Sequence, residues 1–171
     1  MNNQYANKEA SYEEYFNNIR VELLNLIPNN LRDGKLLEIG AGTGNTLIHA
    51  KENGFATEVH GIELCKITNS NQENPLLDNF IIGNVESLTF PYEKKSFDVI
   101  ICGDVLEHLL DPYTMVEKPR EYLTDDGIII LSLPNIREIN VLKQIVFQGD
   151  FKYVEAGILD KTHLRFFAKK T

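Results

Sequence analysis

Glycines at 40, 42 and 44 follow an aliphatic run that leads into Glu38 and Ile39, within the stretch KLLEIGAGTGN at 35–45. A residue without a Cβ lets the backbone enter left-handed conformations and lets a ligand press against the main chain. The pattern reads as strand, tight glycine turn and then a helix from about Thr46, whose first N–H groups suit a carboxylate or a phosphate. A glycine turn can also do no more than reverse the chain. The next acid favours a ligand. Glu63 closes the apolar run EVHGIE roughly 20 residues on, where a carboxylate at the tip of a second strand can accept both hydroxyls of a ribose. The third glycine falls at 44 and position 45 is Asn, one residue away from the dinucleotide spacing, so a nicotinamide-dependent oxidoreductase is the weaker reading of the turn.

The elements that must hold these groups alternate in type. Tyr12, Tyr15, Phe16, Ile19, Leu23, Leu26 and Ile27 recur at helical spacing, which predicts a helix over 11–27 with Ser11 and Glu14 as a capping box and Pro28 as its stop. A second helix over 46–53 ends at Gly54, and strands follow at 57–63 and 79–82. The polar stretch CKITNSNQENP between them predicts only a short or ragged helix. Phe97–Cys102 is an apolar run of the kind covered on both faces, and Gly103, Asp104 and Val105 come directly off its end. Asp111-Pro112 starts a helix that Pro119 interrupts, and Asp125-Asp126-Gly127 reads as a turn before a fifth strand at 128–133. A helix over 138–147 ends at Gly149, and the mixed aromatic and charged segment beyond it fits no period. Strands alternating with helices predict an α/β fold: a parallel sheet with helices on both faces.

Composition narrows the partners. A net charge of −8 argues against duplex nucleic acid, whose phosphates need a basic surface. Cys65 and Cys102 are the only cysteines and neither is placed for a bridge, which suggests a reducing cytoplasmic compartment. Neither a signal peptide nor a run of roughly 20 apolar residues is present, so no membrane is expected as a partner.

Glu38-x-Gly40-x-Gly42-x-Gly44, then Glu63, then FDVIICGDVLEHLLDP at 97–112 together resemble the class I S-adenosylmethionine-dependent methyltransferases. The likeness is greatest to the small-molecule subgroup of sugar, polysaccharide and quinone biosynthesis, and it runs from Leu36 to Phe167. It implies a Rossmann-like three-layer sandwich with strand order 3-2-1-4-5 and a single domain over 1–171. Residues 1–30 would be a helical cap that brings Tyr12 or Tyr15 near the substrate, 35–147 the core, and 148–171 an irregular substrate-side arm. The implied cofactor is S-adenosyl-L-methionine, with S-adenosyl-L-homocysteine as product and no metal. Glu38 and the backbone of Gly40, Ala41, Gly42, Thr43 and Gly44 would hold its methionine end. Glu63 would meet the ribose and Asn84 the adenine, Asn84 standing where the family usually has an acid, with Leu64 and Val85 also among the cofactor-binding residues. Gly103, Asp104 and Val105 would border the cofactor, Asp104 meeting its ammonium or the substrate. A hydroxyl acceptor benefits from a base that titrates near neutral pH. His108 is the first candidate and His163 the second, whereas His49 and His60 read as packing or surface residues.

The acceptor expected is a small molecule with an oxygen or nitrogen nucleophile, a sugar among the candidates. A methyltransferase-like binding module without turnover is the other alternative. The family ordinarily has seven strands and this chain stops after five, which suggests a truncated or incomplete chain and an open sheet edge through which two copies could pair.

Overall fold

The computed structural model describes residues 18–168. Five strands, β1 (Lys35–Ile39), β2 (Glu58–Glu63), β3 (Asn79–Ile82), β4 (Phe97–Gly103) and β5 (Leu123–Ser132), form one sheet in the order β3-β2-β1-β4-β5. All four pairings are parallel. This is the parallel α/β sheet that the alternating elements predict, in the Rossmann-like strand order that the family resemblance implies.

The central strands read as unbroken apolar runs because both of their faces are covered. Leu36, Val59, Val99 and Ile101 point to one face and pack beneath Leu23 and Leu24 of α1 (Val21–Leu24) and Leu47 and Ala50 of α2 (Asn45–Glu52). Leu37, Ile39, Ile62, Ile100 and Cys102 point to the other face, where they meet Leu106, Leu109 and Met115, the last of these on α3 (Pro112–Glu117). Asp111 caps α3 by accepting from the Thr114 N–H at 3.1 Å, and Pro112 occupies the first turn, where its missing N–H costs nothing. Pro119 ends the α-helical pattern as expected, and a tighter turn over Lys118–Tyr122 replaces it.

Parallel register sets the site. Ile39 lies beside Ile62 on one side and Cys102 on the other, so the loops leaving β1, β2 and β4 emerge next to one another at the same edge. Ligands of open α/β sheets sit outside such carboxyl ends.

Several expectations are corrected. Within the described residues the predicted helix over 11–27 is only the single turn Val21–Leu24, because the Arg20 N–H bonds to Thr46 Oγ1 at 3.2 Å instead of continuing a helix. Tyr12, Tyr15, Phe16 and the capping pair Ser11 and Glu14 lie outside the described residues. The polar stretch over 65–75 contains no helix but a series of turns. Asp125-Asp126-Gly127 is not a turn before β5 but part of it. Leu123 pairs with Phe97 and Ile128 with Val99, so residues 124–127 bulge opposite Asp98, with the Thr124 hydroxyl donating to that carboxylate at 3.3 Å. The helix over 138–147 divides into α4 (Ile139–Lys143) and a wider turn over Gln144–Gln148, ended by Gly149 in the left-handed region. Among the described residues no helix is long and apolar enough to cross a membrane.

Gly61 shows why one strand position tolerates only hydrogen. The Phe80 ring of β3 lies against it, and a Cβ there would come within 2.5 Å of two ring carbons. Gly61→Ala is expected to destabilise the protein by about 1–3 kcal/mol through overpacking, read as a lower midpoint in urea unfolding.

Candidate active site

The glycine turn is built from backbone that only glycine adopts easily. Gly40, Gly42 and Gly44 have φ of +75°, +53° and +84°. A Cβ on Gly40 would overlap Val105 Cγ2, so the loop after β4 packs directly on the turn after β1. The N–H groups of Gly40 and Ala41 both donate to the Ile62 carbonyl, at 2.8 and 3.1 Å, tying the turn to the end of β2. The Glu63 carboxylate accepts from the Gly42 N–H at 2.8 Å and from the Leu64 N–H at 2.7 Å, so it braces the loop as well as lining the cleft.

The polar segment after β2 is a strap on that turn. Gln72 is buried; its amide donates to the carbonyls of Gly42 (2.8 Å) and Cys65 (3.2 Å) and accepts from the Ile67 N–H (3.0 Å). The Asn71 N–H donates to the carbonyl of Thr43, itself buried, at 2.9 Å. Thr43 and Gly44 serve the turn itself, Gly44 closing onto the Ala41 carbonyl at 2.8 Å before α2 begins.

Two adjoining pockets of about 270 and 310 Å³ share Gly40, Gly103 and Asp104. Arg20, Glu38, Ala41, Gly42 and Thr46 line the first. Glu63, Leu64, Asn84, Val85, Val105 and His108 line the second. The structure thus gathers most of the residues singled out in the sequence into one cleft along the strand ends. Asn84 also shapes its own loop: its side-chain oxygen accepts from the Glu86 N–H at 2.9 Å. Lys118, which the sequence did not single out, reaches the Val85 carbonyl at 2.7 Å and holds that loop from beneath.

Electrostatics divide the two halves. Glu38 is 5% exposed, and among the described residues its Oε2 has no hydrogen-bond partner. Burial pushes its pKa up to about 8, with Arg20 opposing the shift and Glu63 reinforcing it. Arg20 also escaped the sequence reading. Its Nη1 meets Asp104 Oδ2 at 2.7 Å, and its Nε pairs with Glu22. Asp104 is held in the left-handed region, φ +53°, by its N–H donating to the Ser132 carbonyl at 3.1 Å and by the Ser132 hydroxyl donating to Oδ1 at 2.9 Å.

His108 and His163 are brought together, their rings 4.8 Å apart at 75°. His108 Nδ1 faces the Thr162 carbonyl at 3.3 Å, and His163 Nδ1 faces the Ile158 carbonyl at 3.0 Å. Burial, reinforced by the nearby His163, lowers the His108 pKa and keeps its imidazole neutral. Glu107 beside it is 1% exposed, and burial pushes its pKa up to about 7. The other two histidines lie apart from the cleft wall. His60 is buried against Tyr92 and Phe97 and bonds to Glu58 at 2.8 Å, while His49 in α2 pairs with Asn53 just beyond the helix.

A family model described as "Methyltransferase domain" matches residues 12–171. The chain belongs to this methyltransferase family. It is 31% identical over 157 residues to the uncharacterized protein MJ1252 of Methanocaldococcus jannaschii, covering 89% of this chain and 59% of that protein. It is 25% identical over 127 residues to a ubiquinone biosynthesis O-methyltransferase of Glaesserella parasuis, covering 70% and 53% respectively. An S-adenosylmethionine-dependent methyltransferase from Mesorhizobium loti shares its fold with a TM-score of 0.56 at 19% identity, over 67% of this chain and 52% of that one. The chain therefore spans little more than half the length of these curated relatives, 59% and 53%.

Because the Glu38 pKa is raised from 4.5 to about 8 on folding, the folded protein keeps a proton that the unfolded chain has lost between those values. Stability is therefore expected to fall as pH rises through that window. Thermal unfolding scans should show a shallower decline for Glu38→Gln, the remainder coming from Glu107, whose raised pKa acts in the same direction.

Proposed function

We propose that the cleft binds S-adenosylmethionine and serves methyl transfer to a small-molecule acceptor. The observation that carries this reading is the buried carboxyl of Glu38, whose Oε2 has no hydrogen-bond partner among the described residues, beside Arg20 at one end of a glycine turn braced by Glu63. A zwitterionic amino acid joined to a nucleoside fits that sequence of groups. The ammonium would meet Glu38, whose carboxyl gives up its proton when a cation arrives. The carboxylate would meet Arg20, the cation on the wall of the first pocket, held towards the cleft by Asp104. The backbone over 40–44 would take the main-chain-like middle, and an added Cβ at Gly40 would displace Val105. Glu63 would accept from the ribose diol through lone pairs not used on Gly42 and Leu64, with Leu64, Asn84 and Val85 around the base.

When bound, the cofactor supplies an electrophilic methyl on a sulfonium. The residues of the chain contribute alignment, since holding reactants at near-attack distance supplies much of the acceleration in such displacements. Gly40, Gly103 and Asp104 join the two pockets, Val105 lines the second, and His108 stands on the second as the neutral group suited to engage an acceptor hydroxyl. The likeness to ubiquinone biosynthesis O-methyltransferases favours an oxygen nucleophile.

Titration calorimetry tests the cofactor. S-adenosylmethionine and S-adenosylhomocysteine should bind, NAD should not, and Glu38→Gln should weaken binding by about tenfold to a hundredfold, the worth of one charge-assisted hydrogen bond. Absence of heat from both sulfur nucleosides overturns the reading. On the acceptor side, His108→Ala is expected to slow turnover by about 10²–10⁴-fold while leaving cofactor affinity unchanged, measured with a panel of phenolic and sugar hydroxyl acceptors.

A further inference from the structure

Glu107, His108 and His163 each offer one ligand atom, and these three atoms lie within 4.8 Å of one another. The set joins two parts of the chain far apart in sequence: the turn Leu106–His108 after β4 and the terminal arm. The arm is tied to this turn independently of the histidines. The N–H groups of Leu164 and Arg165 both donate to the Glu107 carbonyl, at 2.7 and 3.1 Å, and Arg165 Nη2 donates to the Leu110 carbonyl at 2.8 Å. The Ile136 N–H donates to the Phe167 carbonyl at 2.8 Å.

Three features suit the cluster to a cation. First, a carbonyl only accepts, so the contacts of His108 with Thr162 and of His163 with Ile158 put the proton of each ring on Nδ1. Each Nε2 is left with its lone pair, and a backbone carbonyl behind the ring is the usual support of a ligating histidine. Second, Glu107 is 1% exposed and, among the described residues, its Oε2 has no hydrogen-bond partner, an arrangement that otherwise costs stability without return. Third, His108 lines the second pocket, so open coordination positions would face the cleft. Two imidazoles and one carboxylate with open positions suit zinc, iron(II) or manganese rather than calcium.

We propose that Glu107, His108 and His163 form a divalent transition-metal site that pins the terminal arm to the cleft and receives an acceptor hydroxyl. This rests on the methyltransferase reading for the acceptor, though not for the cation. Ligand atoms about a tetrahedral ion at about 2.1 Å stand roughly 3.4 Å apart, a spacing that three atoms already within 4.8 Å of one another reach by small movements. A hydroxyl ligated there loses its proton more readily: the O–H bond breaks, the electron pair stays on the oxygen bound to the cation, and the proton passes to solvent. His108 then acts as a ligand, and the acceptors selected are alcohols or phenols.

The test is titration of the metal-stripped protein with zinc and with manganese, followed by calorimetry and by protease sensitivity of the arm. One equivalent of at least one metal is expected to bind and to protect the arm from cleavage. His163→Ala and Glu107→Gln should each weaken that affinity at least tenfold and abolish the protection, whereas His49→Ala should change neither. His163→Ala keeps the experiment decisive if the buried Glu107 variant misfolds. Absence of uptake of both metals, or uptake that survives His163→Ala unchanged, overturns the proposal. Calorimetry with S-adenosylhomocysteine on the same metal-free sample reports on the cofactor site separately.

Discussion

The structure turns on an ionisable carboxyl placed near the carboxyl end of its central strand. Glu38 sits on β1 between the runs that form the two apolar layers, buried and without a hydrogen-bond partner on one oxygen among the described residues. Burying a charged carboxylate alone is unfavourable enough that the group keeps its proton instead, which is why its pKa rises to about 8. Such a site gains most from a cation delivered into it. The loops around it are tied to one another by hydrogen bonds across the strand ends.

Backbone and side chains both supply these bonds. The glycine turn is held to the end of β2 through Ile62, to Glu63 through Gly42, and to the strap through Asn71 and Gln72. On the opposite wall, Ser132 at the end of β5 fixes Asp104, and Asp104 in turn fixes Arg20. Each loop at the strand ends is therefore bonded to a neighbour from a different strand. Pre-arranged dipoles of this kind need not reorganise when a ligand arrives.

The sheet was legible in the sequence because its central strands are covered on both faces and so read as unbroken apolar runs. The glycine spacing and Glu63 were legible because backbone conformation at φ above zero leaves a residue-type signature. Other features left none. Arg20 lies within what reads as a longer helix, and its contacts with Asp104 and Ser132 come from far along the chain. Gln72 is one amide in an Asn-rich stretch, and nothing in its neighbours marks it as the buried one. The bulge at residues 124–127 looks like a turn because Asp-Asp-Gly favours turns, yet pairing with β4 resumes beyond it. Glu107 was visible in its motif, but not that its buried Oε2 would have no hydrogen-bond partner among the described residues.

The register of β1 also has a consequence for how the molecule assembles. Leu36 pairs with Val59 on one side and with Val99 on the other, so the middle strand cannot be completed until the chain through β4 is available. Non-local parallel pairing of this sort is slow, because the entropy of closing long loops is lost before the contacts reward it. During synthesis from the ribosome, the segment that carries Glu38 and the glycines must wait with its apolar neighbours unshielded. The nascent chain is thus most exposed to aggregation before β4 emerges, and what will become the cleft is among the last parts to take shape.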